Sequence, residues 1–142
     1  MPDDCRGPAE ATVVREQYAD VIPTAKVVLS EVADGLAFDR PTYEERIDAK
    51  MVQRVANVLF AAGLPVLCDT KEMFEDYRRA HADAEVIDLG RSTAETVCWH
   101  HARVQGVILT ASYGDAERSA REVVRRAAFN RCYRPIIDEG MT

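Results

Sequence analysis

A three-layer α/β domain, with a mainly parallel sheet flanked by helices, is the fold class this sequence predicts. Three observations carry that prediction. Short β-branched runs ("AKVVLSEV", "LPVLCD", "EVIDL", "GVILTA") alternate with longer amphipathic stretches. S/T-x-x-E pairs open two of the stretches, as reciprocal helix caps do. No repeat or linker interrupts the alternation, so residues 1–142 read as one domain. Strands that alternate with helices imply parallel pairing and helices on both faces.

Taken in order, residues 9–22 carry Val14, Tyr18, Val21 and Ile22 at helical spacing, with Pro23 expected to stop them. "AKVVLSEV" is expected as the first strand. Helix 43–62 opens on Thr42 with Glu45 three residues on, and its stripe is Ile47, Met51, Val55, Val58, Leu59 and Ala62. Val55 and Leu59 are expected to point inward, and Gly63 and Pro65 end the helix. "LPVLCD" is a compact strand. Residues 71–82 form a helix with Met73, Phe74 and Tyr77 inward, followed by the strand "EVIDL". Ser92 and Glu95 form the second box, opening a helix through about Arg103. "GVILTA" is a strand, 115–129 a helix, and "RPII" a last edge strand.

The net charge of −6 argues against nucleic acid, because neutralising phosphates requires a positive surface. No apolar run is long enough to span a bilayer and "MPDDCRG" is no signal peptide, so the expected location is cytoplasmic and away from membranes. Arg118, Arg121, Arg125, Arg126, Arg131 and Arg134 crowd one stretch against the single acid Glu122. That stretch is either a solvated helix face or a site for an anion, a protein partner or a second copy. Cys5, Cys68, Cys98 and Cys132 form no C-x-x-C pair and are expected as reduced thiols, with Cys68 and Cys98 acting as small core hydrophobes. "CWHH" cannot converge on one metal from a helix, where adjacent side chains point about 100° apart. No metal and no cofactor are expected.

In open α/β sheets ligands bind beyond the carboxyl ends of strands. Asp69, right after "PVLC", is the leading catalytic candidate there, unless it caps the next helix. Asp34 is the second catalytic candidate. "SYGD" places Ser112 and Asp115 before a helix, where backbone N–H groups can hold an anion or simply close a turn. With Arg46 reaching the same edge, Asp34, Arg46 and Asp69 would share a cleft for a small anionic or nucleotide ligand.

"DGLAFDRPTYEER…VANVLFAAGLPVL", then "FEDYRRAH" and "AEVID…ETVC", resemble in order and spacing the adenylyl-sulfate kinase branch of the P-loop kinases, over about residues 34–98. The resemblance implies a P-loop kinase-like fold, with Asp34 as the acid near the acceptor hydroxyl and Arg46 near the acceptor nucleotide. The family's phosphate loop would fall on "GPAEAT", residues 7–12. There Ala9, Glu10 and Ala11 replace a glycine, the lysine and the magnesium-binding serine. A degenerate nucleotide-kinase-like domain without ATP-dependent phosphotransfer is the implied function. "GVILTASYGDAERSAREVVRRAAFNRCYRPII" also looks like the late strand, acid-bearing helix and final strand of flavodoxin-like nucleoside deoxyribosyltransferase or TIR-type domains. That alternative would make Asp115, Glu117 or Glu122 the acid. A non-catalytic interaction protein is the third reading.

Overall fold

The computed structural model describes residues 5–35, 49–90, 95–114 and 116–140. The elements in chain order are α1 (Ala11–Gly35), α2 (Ala49–Ala62), β1 (Leu67–Thr70), α3 (Lys71–Ala80), β2 (Glu85–Asp88), β3 (Thr96–Ala102), β4 (Val107–Tyr113), α4 (Glu117–Ala128) and α5 (Arg134–Glu139). A 3₁₀ turn, Arg103–Gln105, joins β3 to β4, and a π-helical turn, Phe129–Tyr133, joins α4 to α5.

The four strands form one open sheet in the order β1-β3-β4-β2. β2 runs parallel to β4, but β3 is antiparallel to both β1 and β4. The sheet is therefore mixed rather than mainly parallel. β1, β2 and β4 still point the same way, so their carboxyl ends share one edge. β3 returns between them because only the short 3₁₀ turn separates it from β4, which permits a hairpin and no crossover.

Helices cover both faces. Cys98, His100, Ala102, Leu109 and Ala111 face Ala120, Val124 and Ala128 of α4, behind which α1 and α2 pack. Phe60 of α2 sits at the centre of that layer, with ring centroids 6.0 Å from Tyr18, 5.9 Å from Phe129 and 5.6 Å from Tyr133. Val97, Trp99 and Ile108 face the other way, against Phe74 of α3, with Phe74 and Trp99 centroids 5.2 Å apart. The three-layer expectation holds in this coarse form.

Several elements differ from expectation. "AKVVLSEV" is no strand but the continuation of α1 through Pro23. Val14, Tyr18, Ala25 and Leu29 are all buried at helical spacing, and Val27 and Val32 point outward. Proline removes one hydrogen bond, and a helix so packed tolerates the loss. Thr96–Ala102, expected as helix, is β3. It is buried on both faces, so it shows no polar alternation by which to tell it from a helix. "RPII" is helix α5, with its proline in the first turn, where no N–H is needed. In α2 the buried residues are Ala56 and Phe60, while Val55 and Leu59 are half-buried and Val58 is 67% exposed. The stripe is rotated by one position because Phe60 fills the aromatic centre. On α3, Phe74 is buried and Tyr77 half-buried as expected, but Met73 is exposed. The boxes at Thr42–Glu45 and Ser92–Glu95 begin outside the described residues.

Cys68 and Cys98 are not reduced. They stand directly opposite each other across β1 and β3 and form a disulfide. Cys5 and Cys132 are buried thiols outside any disulfide.

Candidate functional site

A wide cleft lies at the amino edge of the sheet, where β1 and β4 begin and β3 ends. Its volume is about 660 Å³, within the range of small-molecule sites. Residues 5–7 build one wall. His101 N–H donates to the Cys5 carbonyl at 2.7 Å, and Gly7 N–H donates to the His101 carbonyl at 2.8 Å, so this segment adds a short parallel bridge beside β3. The chain then turns through Pro8, Ala9 and Glu10 into α1. Val13, Val21, Leu59 and Phe60 supply the apolar wall, and Arg6, Glu10, Gln17 and Arg103 the polar one.

Arg103 donates Nε to the Gly7 carbonyl at 2.7 Å, which pins the guanidinium at the mouth. A guanidinium held through Nε keeps its two Nη groups as a fork for a carboxylate or phosphate.

Beneath Gly7 lies a buried polar chain. The His100 Nδ1–H donates to the Pro65 carbonyl at 2.7 Å, since a carbonyl can only accept. His100 Nε2 therefore accepts from the Tyr133 hydroxyl at 2.6 Å. Both side chains are wholly buried, and burial pushes the Tyr133 phenol far above its ordinary range. The pair fastens the loop before β1 to the π turn after α4.

A second cluster stands on the opposite face of β3. Tyr77 Oη lies 2.7 Å from His101 Nδ1 and stacks on His81, whose Nδ1–H donates to the Tyr77 carbonyl. The His81 and His101 rings are 5.2 Å apart. Burial chiefly, then His81, Arg103 and Arg6, lower the His101 pKa against the opposing pull of Asp83.

The carboxyl edge holds the sequence candidates. Asp69 and Ser112 both lie opposite Val97 in the register, so they share a sheet face about 10 Å apart, two strand spacings. Asp69 does not cap α3. Thr70 does, accepting from the Met73 N–H at 3.2 Å, while the Asp69 carboxylate accepts the Thr70 N–H at 2.7 Å. Two rows away, on the same face, Asp88 lies opposite Thr110, and Thr110 opposite Trp99. Thr110 Oγ1 and Trp99 Nε1 are buried without a partner among the described residues. Asp34 falls in the last turn of α1 and not at a strand end. Its side chain, with Arg46 and Asp115, lies outside the described residues. Sequence reasoning placed ligands at this edge and missed Arg6, Gln17 and Arg103. The segment "GPAEAT", expected as a failed phosphate loop, supplies Gly7, Pro8, Ala9 and Glu10 to the opposite edge. Among the described residues, no three His, Cys, Asp or Glu side chains are grouped to hold a metal, and no helix is long and apolar enough to cross a membrane.

Fold and cleft together define a small mixed α/β domain with an amphipathic cleft at the amino edge of its sheet. The chain belongs to the family of unknown function DUF5809, whose model matches residues 5–134. No curated protein and no solved structure matches it.

Proposed function

We propose that this domain is a binding module for a small anionic molecule with an apolar body, held in the amino-edge cleft, and that it does not transfer phosphate from ATP. The observation that carries the reading is the placement of Arg6 and Arg103 on the same cleft as Val13, Val21, Leu59 and Phe60. A carboxylate or phosphate would meet the arginines while its apolar part leaves water along α1 and α2. Glu10 lines the same cleft and suits a hydroxyl or amine donor on the ligand. That carboxylate also opposes a triphosphate, in keeping with a degenerate relative of nucleotide kinases.

Isothermal titration at low ionic strength tests the reading, with aliphatic carboxylates, phosphate monoesters and Mg-ATP as probes. A monoanion should bind and Mg-ATP should not. Arg103→Gln should weaken binding by about tenfold or more, the range for losing a charge-assisted contact. Glu10→Gln should tighten it by removing a like charge. Absence of binding by every monoanion, or affinities that neither substitution moves, would contradict the reading.

A further inference from the structure

The six arginines between 118 and 134 do different jobs. Arg121 Nη1 donates to the Val66 carbonyl at 2.8 Å, and Arg125 Nε to the Leu64 carbonyl at 3.0 Å, so both fasten α4 to the connection between α2 and β1. They also pair with Glu117 and Glu122 on their own helix. Arg134 lies 3.7 Å from Asp138. Arg118 and Arg126 differ from these. Both are exposed, two turns apart on the outer side of α4, and neither has an ion pair among the described residues.

Between them runs an open groove of about 610 Å³, with Val123 on it at 47% exposure. Past Arg126 it meets a smaller hollow of about 290 Å³, where Val58 of α2 is 67% exposed. Glu122, which lines both hollows, is occupied by Arg125 at 3.3 Å. The result is a face on which Val123 and Val58 stand exposed beside two cations that have no ion pair among the described residues, on a chain whose net charge is −6.

We infer that this outer α2/α4 face docks an acidic amphipathic helix of a protein partner. The partner's apolar side chains would lie on Val123 and Val58, and its carboxylates would face Arg118 and Arg126. Charge complementarity selects an acidic partner, and the valines select one with an apolar stripe. A polyphosphate backbone fits worse, because it has no apolar side to cover the valines. The face is separate from the amino-edge cleft, so this inference stands independently of ligand binding there.

Fluorescence anisotropy on the full chain tests it. The probe is a labelled synthetic helix of about 18 residues, five turns, with Leu on one stripe and Glu elsewhere. A version with Lys for Glu, a poly-Glu peptide of equal length and a single-stranded DNA serve as controls. The Leu/Glu helix should bind, and added salt should weaken it. Arg126→Glu and Val123→Asp should each lower its affinity about tenfold or more, with circular dichroism unchanged because both residues are exposed. Failure of the Leu/Glu helix to bind, or equal binding by the Lys version, would overturn the inference. Equal binding by poly-Glu or DNA would do the same, because charge alone would then suffice. A dimer in sedimentation that Arg126→Glu dissociates would also overturn it, by giving the face to a second copy.

Discussion

The Tyr133 hydroxyl occupies the space that a side chain at position 7 would need: a Cβ built on Gly7 falls 1.9 Å from the oxygen and 3.2 Å from His100 Cε1. That hydroxyl cannot swing aside, since it is buried and bonded to His100 Nε2. Gly7→Ala should therefore destabilise the domain by about 1–3 kcal/mol, the usual cost of overpacking. Tyr133→Phe alone removes the hydrogen bond to His100 Nε2, for about 0.5–1.5 kcal/mol. The double variant should cost clearly less than the sum, because removing the hydroxyl makes room for the methyl group. Urea unfolding of the four proteins reads this coupling. Strict additivity would contradict the contact.

Thiol counting checks the cross-strand bridge. Native protein should give no free thiol with a disulfide reagent, since Cys5 and Cys132 are buried and burial pushes the Cys132 thiol up to about 11. Unfolded without reductant, it should give two thiols of its four cysteines, and after reduction four. Four thiols before reduction would mean that Cys68 and Cys98 are not joined.

His101 should make stability depend on pH in the mildly acidic range. Its folded pKa is lowered, first by burial and then by the cations around it, from an ordinary value of 6.5. The unfolded chain therefore binds this proton more readily than the folded one. No penalty exists above the ordinary value. As pH falls through it, stability declines until the folded pKa is passed. His101→Gln should flatten that slope in unfolding curves collected between pH 5 and 8, whatever it does to the absolute stability. An unchanged slope would assign the effect elsewhere.

Thr110→Val replaces a buried hydroxyl that has no partner among the described residues by a methyl group of nearly the same shape. The change should be neutral or stabilising, by up to about 1 kcal/mol. A loss of more than about 1 kcal/mol, the value of an ordinary hydrogen bond, would show that the hydroxyl has a partner in solution.

Much of the fold was legible residue by residue. Phe74 and Tyr77 on α3, the end of α2 at Gly63, and the strands "EVIDL" and "GVILTA" all announce themselves through local spacing. What failed depended on partners distant in sequence. β3 hides because Val97, Trp99 and His101 meet α3 while Cys98, His100 and Ala102 meet the α4 side, leaving no polar face to mark a strand. Local spacing divides α1 into two elements because Pro23 is a local breaker, although Tyr18, Ala25 and Leu29 continue one buried stripe across it. The disulfide could not be read without the register that sets Cys68 opposite Cys98. For the site, Asp69 and Ser112 were placed on a common edge correctly, yet Arg103 belongs to the cleft only through the fold that brings it 2.7 Å from the Gly7 carbonyl.

The central claim is that ligands enter at the amino edge of the sheet, and a backbone NMR titration tests it most directly. Inorganic phosphate and a short-chain aliphatic carboxylate serve as probes against isotope-labelled full-length chain. Saturable shifts should gather at Gly7, Glu10, Gln17, Gly63 and Arg103, which line one cleft. Shifts centred instead on Asp69, Gly90 and Ser112, at the opposite edge, or no saturable shift with either probe, would contradict the account.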